Sequence, residues 1–186
     1  GRMSKNKPLS GATNLLLLVI RGTPLMLQLL VVYFGPGIFF NWLRSFGYEV
    51  NLRWERFPAA IVALSLNYAC YFAEIYRGGI ESIPKGQYEA CKVLGYTNVQ
   101  TFFHIICPQV IKRIVPPMGN EVMTLVKDTA LVKVISVIEL LSLAEKHSNA
   151  LVSIVPLFIA GLFYLVMNGI VSFGFNKLER KLAYYK

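Results

Sequence analysis

Acidic residues are scarce in this sequence. Ten Asp and Glu stand against nineteen Lys and Arg in 186 residues, and charged residues of both signs make up only 16%. Hydrophobic residues make up 55%, with a mean hydropathy of +0.51, so too little polar sequence remains to cover a buried helical core of this length. That excludes an ordinary soluble domain. The three cysteines, Cys70, Cys91 and Cys107, have no Cys-x-x-Cys spacing, and His104 and His147 lie far apart, which supports neither a zinc site nor a disulfide framework. No metal site is expected. The GxxxxGK[ST] pattern that cradles phosphates is missing, and no Ser-His-Asp order stands out. No catalytic residue is expected in the chain, nor enzymatic activity of its own. A cleavable signal pattern, an internal repeat and low-complexity sequence are likewise missing.

What the sequence does have is long apolar stretches. Four windows approach the twenty or so largely apolar residues that cross a bilayer: 24–43, 57–76, roughly 114–135, and 151–173. The expected class is therefore an all-α integral membrane protein, a single transmembrane domain over residues 1–186 with about four spans. The run Asn14 to Ile20 is apolar but too short to cross, and Arg21-Gly-Thr-Pro24 interrupts it. Arg21 is either a functional charge or a side chain that snorkels to the membrane boundary. Tyr33 to Gly37 predicts a kink or helix end, Trp42 an interfacial anchor, and a loop with Arg44, Glu49, Arg53 and Glu55 leads to a second anchor at Trp54.

A net charge of +9 would suggest nucleic acid in a soluble protein, but its distribution argues against that partner. With the N-terminus, the loop at 77–113 and the C-terminus on one side, that side holds Arg2, Lys5, Lys7, Arg77, Lys85, Lys92, Lys112, Arg113, Lys177, Arg180, Lys181 and Lys186. The other holds Arg44, Arg53, Arg56, Lys133 and Lys146. By the positive-inside rule the first side is cytoplasmic, so the loop and the C-terminus face the cytoplasm and the chain is multi-pass in a lipid membrane.

Polar residues inside the spans are few and patterned. Asn67, Tyr71 and Glu74 fall on one helical face. A polar stripe on a membrane helix turns toward partners or a watered path; the structural alternative is a set of bonds between helices, with Glu74 paired to Arg77. The third window is less apolar, and Pro117, Glu121, Thr124 and Asp128 share a face in it. Each ionised group at a span's centre costs roughly 2.5–3.5 kcal/mol on insertion scales, so these acids need partners or water. A neutralised Lys127–Asp128 pair at the outer boundary is the alternative for Asp128; Glu121 lies deeper and has no base beside it in sequence. The last window, with Pro156, Gly161 and Gly169, is expected to be packing surface. Such carboxylates also suit a secondary transporter or cation channel, but about four spans without a repeat argue against that class.

The most polar stretch lies between spans. In Ile83-Pro-Lys-Gly-Gln-Tyr-Glu-Ala-Cys-Lys-Val-Leu-Gly95, Pro84 and Gly86 open a helix of two or three turns, and Gly95 closes it. Its small residues would admit another surface at close range.

Glu89-Ala-Cys-Lys-Val-Leu-Gly95, followed by Ile106-Cys-Pro108, resembles the EAA loop of membrane subunits of bacterial ABC importers. Cys91 replaces the second Ala, and Cys107 the usual Leu. Four further blocks resemble the polar amino acid uptake subfamily: RGTPL at 21–25, AEIYRGGIESIPKGQ at 73–87, PPMGNE at 116–121 and KDTAL at 127–131. The resemblance covers about residues 8–180. It implies a type I ABC importer permease-like helical bundle whose residues 83–108 form a cytoplasmic coupling loop, with Gly86, Glu89, Ala90 and Gly95 docking on a separate ATPase. It further implies two ATPase subunits that bind ATP and Mg, a second permease subunit (a copy or a relative), and an external substrate-binding protein. Members usually have five spans, so a span ahead of the basic start is expected to be missing here. Asn67, Tyr71, Glu74, Glu121, Thr124 and Asp128 are the candidate substrate-binding residues. The acids Glu74, Glu121 and Asp128 outnumber the base Lys127, which favours arginine, lysine or histidine as the amino acid substrate.

Overall fold

The computed structural model describes residues 6–47 and 55–183, and every regular element among them is helical. The elements run α1 (Lys7–Gly22), α2 (Leu25–Arg44), α3 (Arg56–Glu81), α4 (Lys85–Val93) and the short α5 (Asn98–Gln100). A π-helical segment (Thr101–Ile106) leads into α6 (Cys107–Asp128), followed by a 3-10 segment (Thr129–Ile135), α7 (Leu140–Leu151) and α8 (Val155–Leu182). Glu49, Arg53 and Trp54, expected in an external loop, lie outside the described residues, as do Arg2, Lys5 and Lys186.

Three of these helices, α2, α3 and α8, are long and apolar enough to cross a membrane. Two of them bury little, 11% of the most apolar stretch of α2 and 6% of that of α8, whereas α3 buries 33%. Leu, Phe and Ile side chains such as Phe158, Leu162, Leu165 and Ile170 therefore face outward along α8, as a lipid-facing helix requires.

Several boundaries differ from those expected of the sequence. Of the kink or helix end expected at Tyr33–Gly37, the helix end does not occur, because α2 continues through Pro36 to Arg44. One missing N–H is a smaller penalty in an apolar span than unwinding several peptide groups. The third window begins earlier, at Cys107, and its α geometry stops at Asp128, where the chain tightens into the 3-10 segment. Pro116 and Pro117 lie inside α6, so the carbonyls of Lys112 and Arg113 lose their usual donors four residues on. The fourth window is cut at its start: Leu151 closes α7, and Val152 adopts a left-handed backbone (φ 47°, ψ 45°) before α8 begins. The α7 helix was not expected. Its signal was the Glu139-Leu-Leu-Ser142 stretch, where the Glu139 carboxylate accepts from the N–H groups of Leu141 (2.7 Å) and Ser142 (2.6 Å) and the Ser142 hydroxyl accepts from the Glu139 N–H.

The chain gathers into two compact units, Gly1–Cys70 with Leu125–Val166 and Tyr71–Thr124 with Met167–Lys186. In the first, Ala59, Ala60 and Ala63 of α3 bury against Leu29 of α2 and against Val132 and Ile135 of the 3-10 segment. Small side chains bring the backbones close, which is how helices associate where lipid removes the hydrophobic drive. In the second, Ile83, Ile106, Val110 and Ile114 form the core, with Ile75, Ile80, Tyr88 and Met118 packed around it. Two glycines set the approach there. A Cβ on Gly79 would stand 2.3 Å from Ile114 Cγ2, and one on Gly119 would meet the Phe175 ring at 2.9 Å.

Candidate functional site

The polar stretch at 83–100 folds as two capped turns. Pro84 is the N-cap of α4, and at the other end the Gly95 N–H donates to the Lys92 carbonyl (3.1 Å) and the Tyr96 N–H to the Cys91 carbonyl (3.0 Å). This pair of bonds is a Schellman closure, and it requires the positive φ of +78° that Gly95 adopts. Thr97 then caps α5: its N–H donates to Gln100 Oε1 at 2.9 Å, and its Oγ1 accepts from the Gln100 N–H at 3.3 Å. Cys91 and Ile83 point inward, while Lys85, Gly86, Gln87, Glu89 and Ala90 are exposed. Val93 (88% exposed), Leu94 (73%) and Val99 (66%) add an apolar rim to this polar face. No side chain lies within 4 Å of where a Cβ on Gly86 would be, so that face is open. Behind it, the Arg113 guanidinium donates to the Ser82 carbonyl, tying α6 to the chain just ahead of α4.

The candidate substrate residues divide between the two units. In the first, Asn67 is buried and donates from Nδ2 to Gln28 Oε1 at 2.9 Å. Gln28 is itself buried and donates from Nε2 to the Ile20 carbonyl (2.6 Å) and to Thr23 Oγ1 (2.9 Å). The reason is local. Pro24 has no N–H to complete the helical bond to Ile20, and the Gln28 amide supplies that donor from the next helix. Gln28 was not singled out from the sequence, although a lone Gln four residues after Pro24 in an apolar run was its signal. Asp128, half-buried at the end of α6, accepts from the Tyr68 hydroxyl at 2.7 Å. Tyr68 is another residue that periodicity passed over, because it lies one position off the Asn67–Tyr71–Glu74 face. No ion pair joins Lys127 to Asp128; Lys127 is exposed, so the neutralised pair weighed as the alternative does not form.

In the second unit, Tyr71 is half-buried, and Glu74 lies against Arg77, with Oε2 to Nη2 at 2.9 Å. Arg77 also bonds Glu81, so one guanidinium bridges two carboxylates along α3. The pairing of Glu74 with Arg77 that the sequence allowed is present. Glu121 is half-buried, and no hydrogen bond or ion pair engages its side chain among the described residues. Thr124 is exposed and returns its hydroxyl to the Asn120 carbonyl at 3.0 Å. Among the described residues, no cluster of His, Cys, Asp and Glu is placed to hold a metal ion. Three carboxylates are thus presented in three states: ion-paired at Glu74, held by a hydroxyl at Asp128, and unengaged at Glu121.

Residues 1–184 match the family described as binding-protein-dependent transport system inner membrane component. The chain is 38% identical to the nopaline transport system permease protein NocM of Agrobacterium fabrum, over 92% of this chain and 71% of that one. It is 35% identical to the arginine ABC transporter permease protein ArtM of Haemophilus influenzae, covering 98% and 79% respectively. With the glutamine transport system permease protein GlnP of Escherichia coli it shares 35% identity over 88% of this chain and 71% of that one. A solved structure, the crystal structure of an amino acid ABC transporter with histidines, covers 97% of this chain and is itself covered over 79%, at 35% identity and a TM-score of 0.81.

Proposed function

The chain belongs to the binding-protein-dependent transport system inner membrane component family, as a multi-pass permease subunit of an amino acid ABC importer, and on that premise we propose that it carries basic amino acids. The observation behind this reading is the charge of the polar positions: with Glu74 neutralised by Arg77, the carboxylates of Glu121 and Asp128 remain against the one cation Lys127 of the candidate path, and no hydrogen bond or ion pair engages Glu121 among the described residues. A half-buried carboxylate favours a cationic partner over a neutral amide, because a charge-assisted hydrogen bond is roughly twice as strong as a neutral one. Arginine permeases among the relatives support the choice, and glutamine and cystine permeases set the competing substrates. Asn67, Tyr71, Glu74, Glu121, Thr124 and Asp128 are the residues proposed to line the path.

The chain works with partners. A separate ATPase, in two copies, binds ATP and Mg and grips the exposed face of α4 through Gly86, Glu89, Ala90 and Gly95. This handle and the C-terminus face the cytoplasm. A second permease subunit completes the path, and an external binding protein delivers the amino acid. When the ATPase dimer closes it displaces α4, and the spans held to α4 follow. The test is thermal stabilisation of the assembled permease–ATPase complex across a panel of amino acids. Arginine, lysine or histidine should stabilise it more than glutamine, glutamate or cystine. Stabilisation by glutamine alone would overturn the basic substrate class.

A further inference from the structure

We propose that Tyr68 is a specificity-determining positioning residue, whose hydroxyl holds the Asp128 carboxylate in the orientation that receives the cationic group of a basic amino acid. This rests on the reading of Asp128 as a substrate carboxylate. The Tyr68 hydroxyl donates to Asp128 Oδ2 at 2.7 Å, and Tyr68 is only 5% exposed, so packing fixes the donor. Its neighbour Asn67 is fixed as firmly, through Gln28 to the Ile20 carbonyl. Two consecutive residues of α3 therefore hold the joint between α1 and α2 and the end of α6.

Asp128 needs such an anchor. It is the last residue of α6, at the joint where α geometry passes into the 3-10 segment. A carboxylate there faces the negative end of the helix dipole and would otherwise swing toward water. With Oδ2 engaged by the hydroxyl, Oδ1 keeps its acceptor capacity for an ammonium or guanidinium N–H. A neutral amide can donate to the same oxygen, but without the charge that makes the bond strong. Lys127 does not compete, since it forms no ion pair with Asp128.

The test compares arginine and glutamine affinities, by calorimetry, for the assembled permease–ATPase complex carrying Tyr68→Phe, Asp128→Asn, or both. Tyr68→Phe should weaken arginine about tenfold and glutamine less than twofold. Asp128→Asn should weaken arginine at least as much, and the double variant should match Asp128→Asn alone, because the hydroxyl acts only through the carboxylate. Fully additive losses, or equal losses for both ligands in Tyr68→Phe, would overturn the role of Tyr68 while leaving Asp128 in place. An unchanged arginine preference in Asp128→Asn would overturn the substrate reading itself. Should Tyr68→Phe reduce assembly, Asp128→Glu provides the same comparison: it keeps the charge but displaces the carboxylate from the hydroxyl. Arginine preference should fall there, and full retention would overturn the positioning role.

Discussion

Gly79 and Ile114 are in van der Waals contact across α3 and α6, with no room for a methyl group between them: a Cβ on Gly79 would lie 2.3 Å from Ile114 Cγ2 and 3.3 Å from Val110 Cγ1. The contact lies in the last turn of α3, a few residues ahead of α4, so it helps fix how the exposed helix is carried on its span. Gly79→Ala should force the two helices apart, lowering stability by about 1–3 kcal/mol as overpacking does. A thermal melt of the assembled complex checks this, and the neighbouring Gly78→Ala, where nothing lies within 4 Å, is the control expected to melt like the parent.

Replacing Gly95 tests the closure of α4. Its φ of +78° is strained for any residue with a Cβ, at roughly 1–2 kcal/mol, while the space around it is open. Gly95→Val should leave the chain in the membrane but reduce substrate-stimulated ATP hydrolysis by the assembled transporter. Glu89→Lys, on the exposed face, should do the same without affecting the melt. Wild-type coupling in both variants would remove α4 from the coupling role.

Gln28→Leu takes away the donor that replaces the missing Pro24 N–H and leaves Asn67 without its acceptor. Each buried polar group stranded in this way costs about 1–3 kcal/mol. The variant should melt well below the parent, and Asn67→Leu in the same background should add little, since the two side chains share one network. Additive losses would show that the groups act separately.

Glu121→Gln is the sharper test of substrate charge, because no bond within the chain engages that carboxylate among the described residues. Loss of a charge-assisted bond worth roughly 1.5–3 kcal/mol should weaken arginine by about one to two powers of ten, with glutamine much less affected. Glu74→Gln differs in kind: it breaks the pair with Arg77 and should lower stability before it changes preference. Transport of arginine and glutamine side by side in well-inserted protein separates the two outcomes.

The legible parts of this molecule were those that depend on composition and local punctuation. Apolar length places α2, α3 and α8, and Pro84 and Gly95 mark the two ends of α4, because a proline start and a glycine stop act within a single turn. The face shared by Asn67, Tyr71 and Glu74 followed from helical geometry alone. Of the two outcomes expected around Pro36, a kink or a helix end, the helix end does not occur, since a rule for the chain in water overstates the power of proline to end a helix in an apolar span. The break at Val152 carried no local sign, because a β-branched residue is the last expected to take a left-handed backbone.

By itself, then, the sequence determined a helical membrane chain with a short polar handle and a few carboxylates in its less apolar helices. These properties follow from hydrophobicity and backbone chirality, which act over one or two turns. The tertiary structure alone decided the partner of each polar group: Gln28 with Asn67 and the Ile20 carbonyl, Tyr68 with Asp128, Gly79 against Ile114. Those pairings join residues up to 60 positions apart, and no periodicity within one helix encodes which face of another it meets. Packing chose the meeting faces, and with them which carboxylates are engaged within the chain.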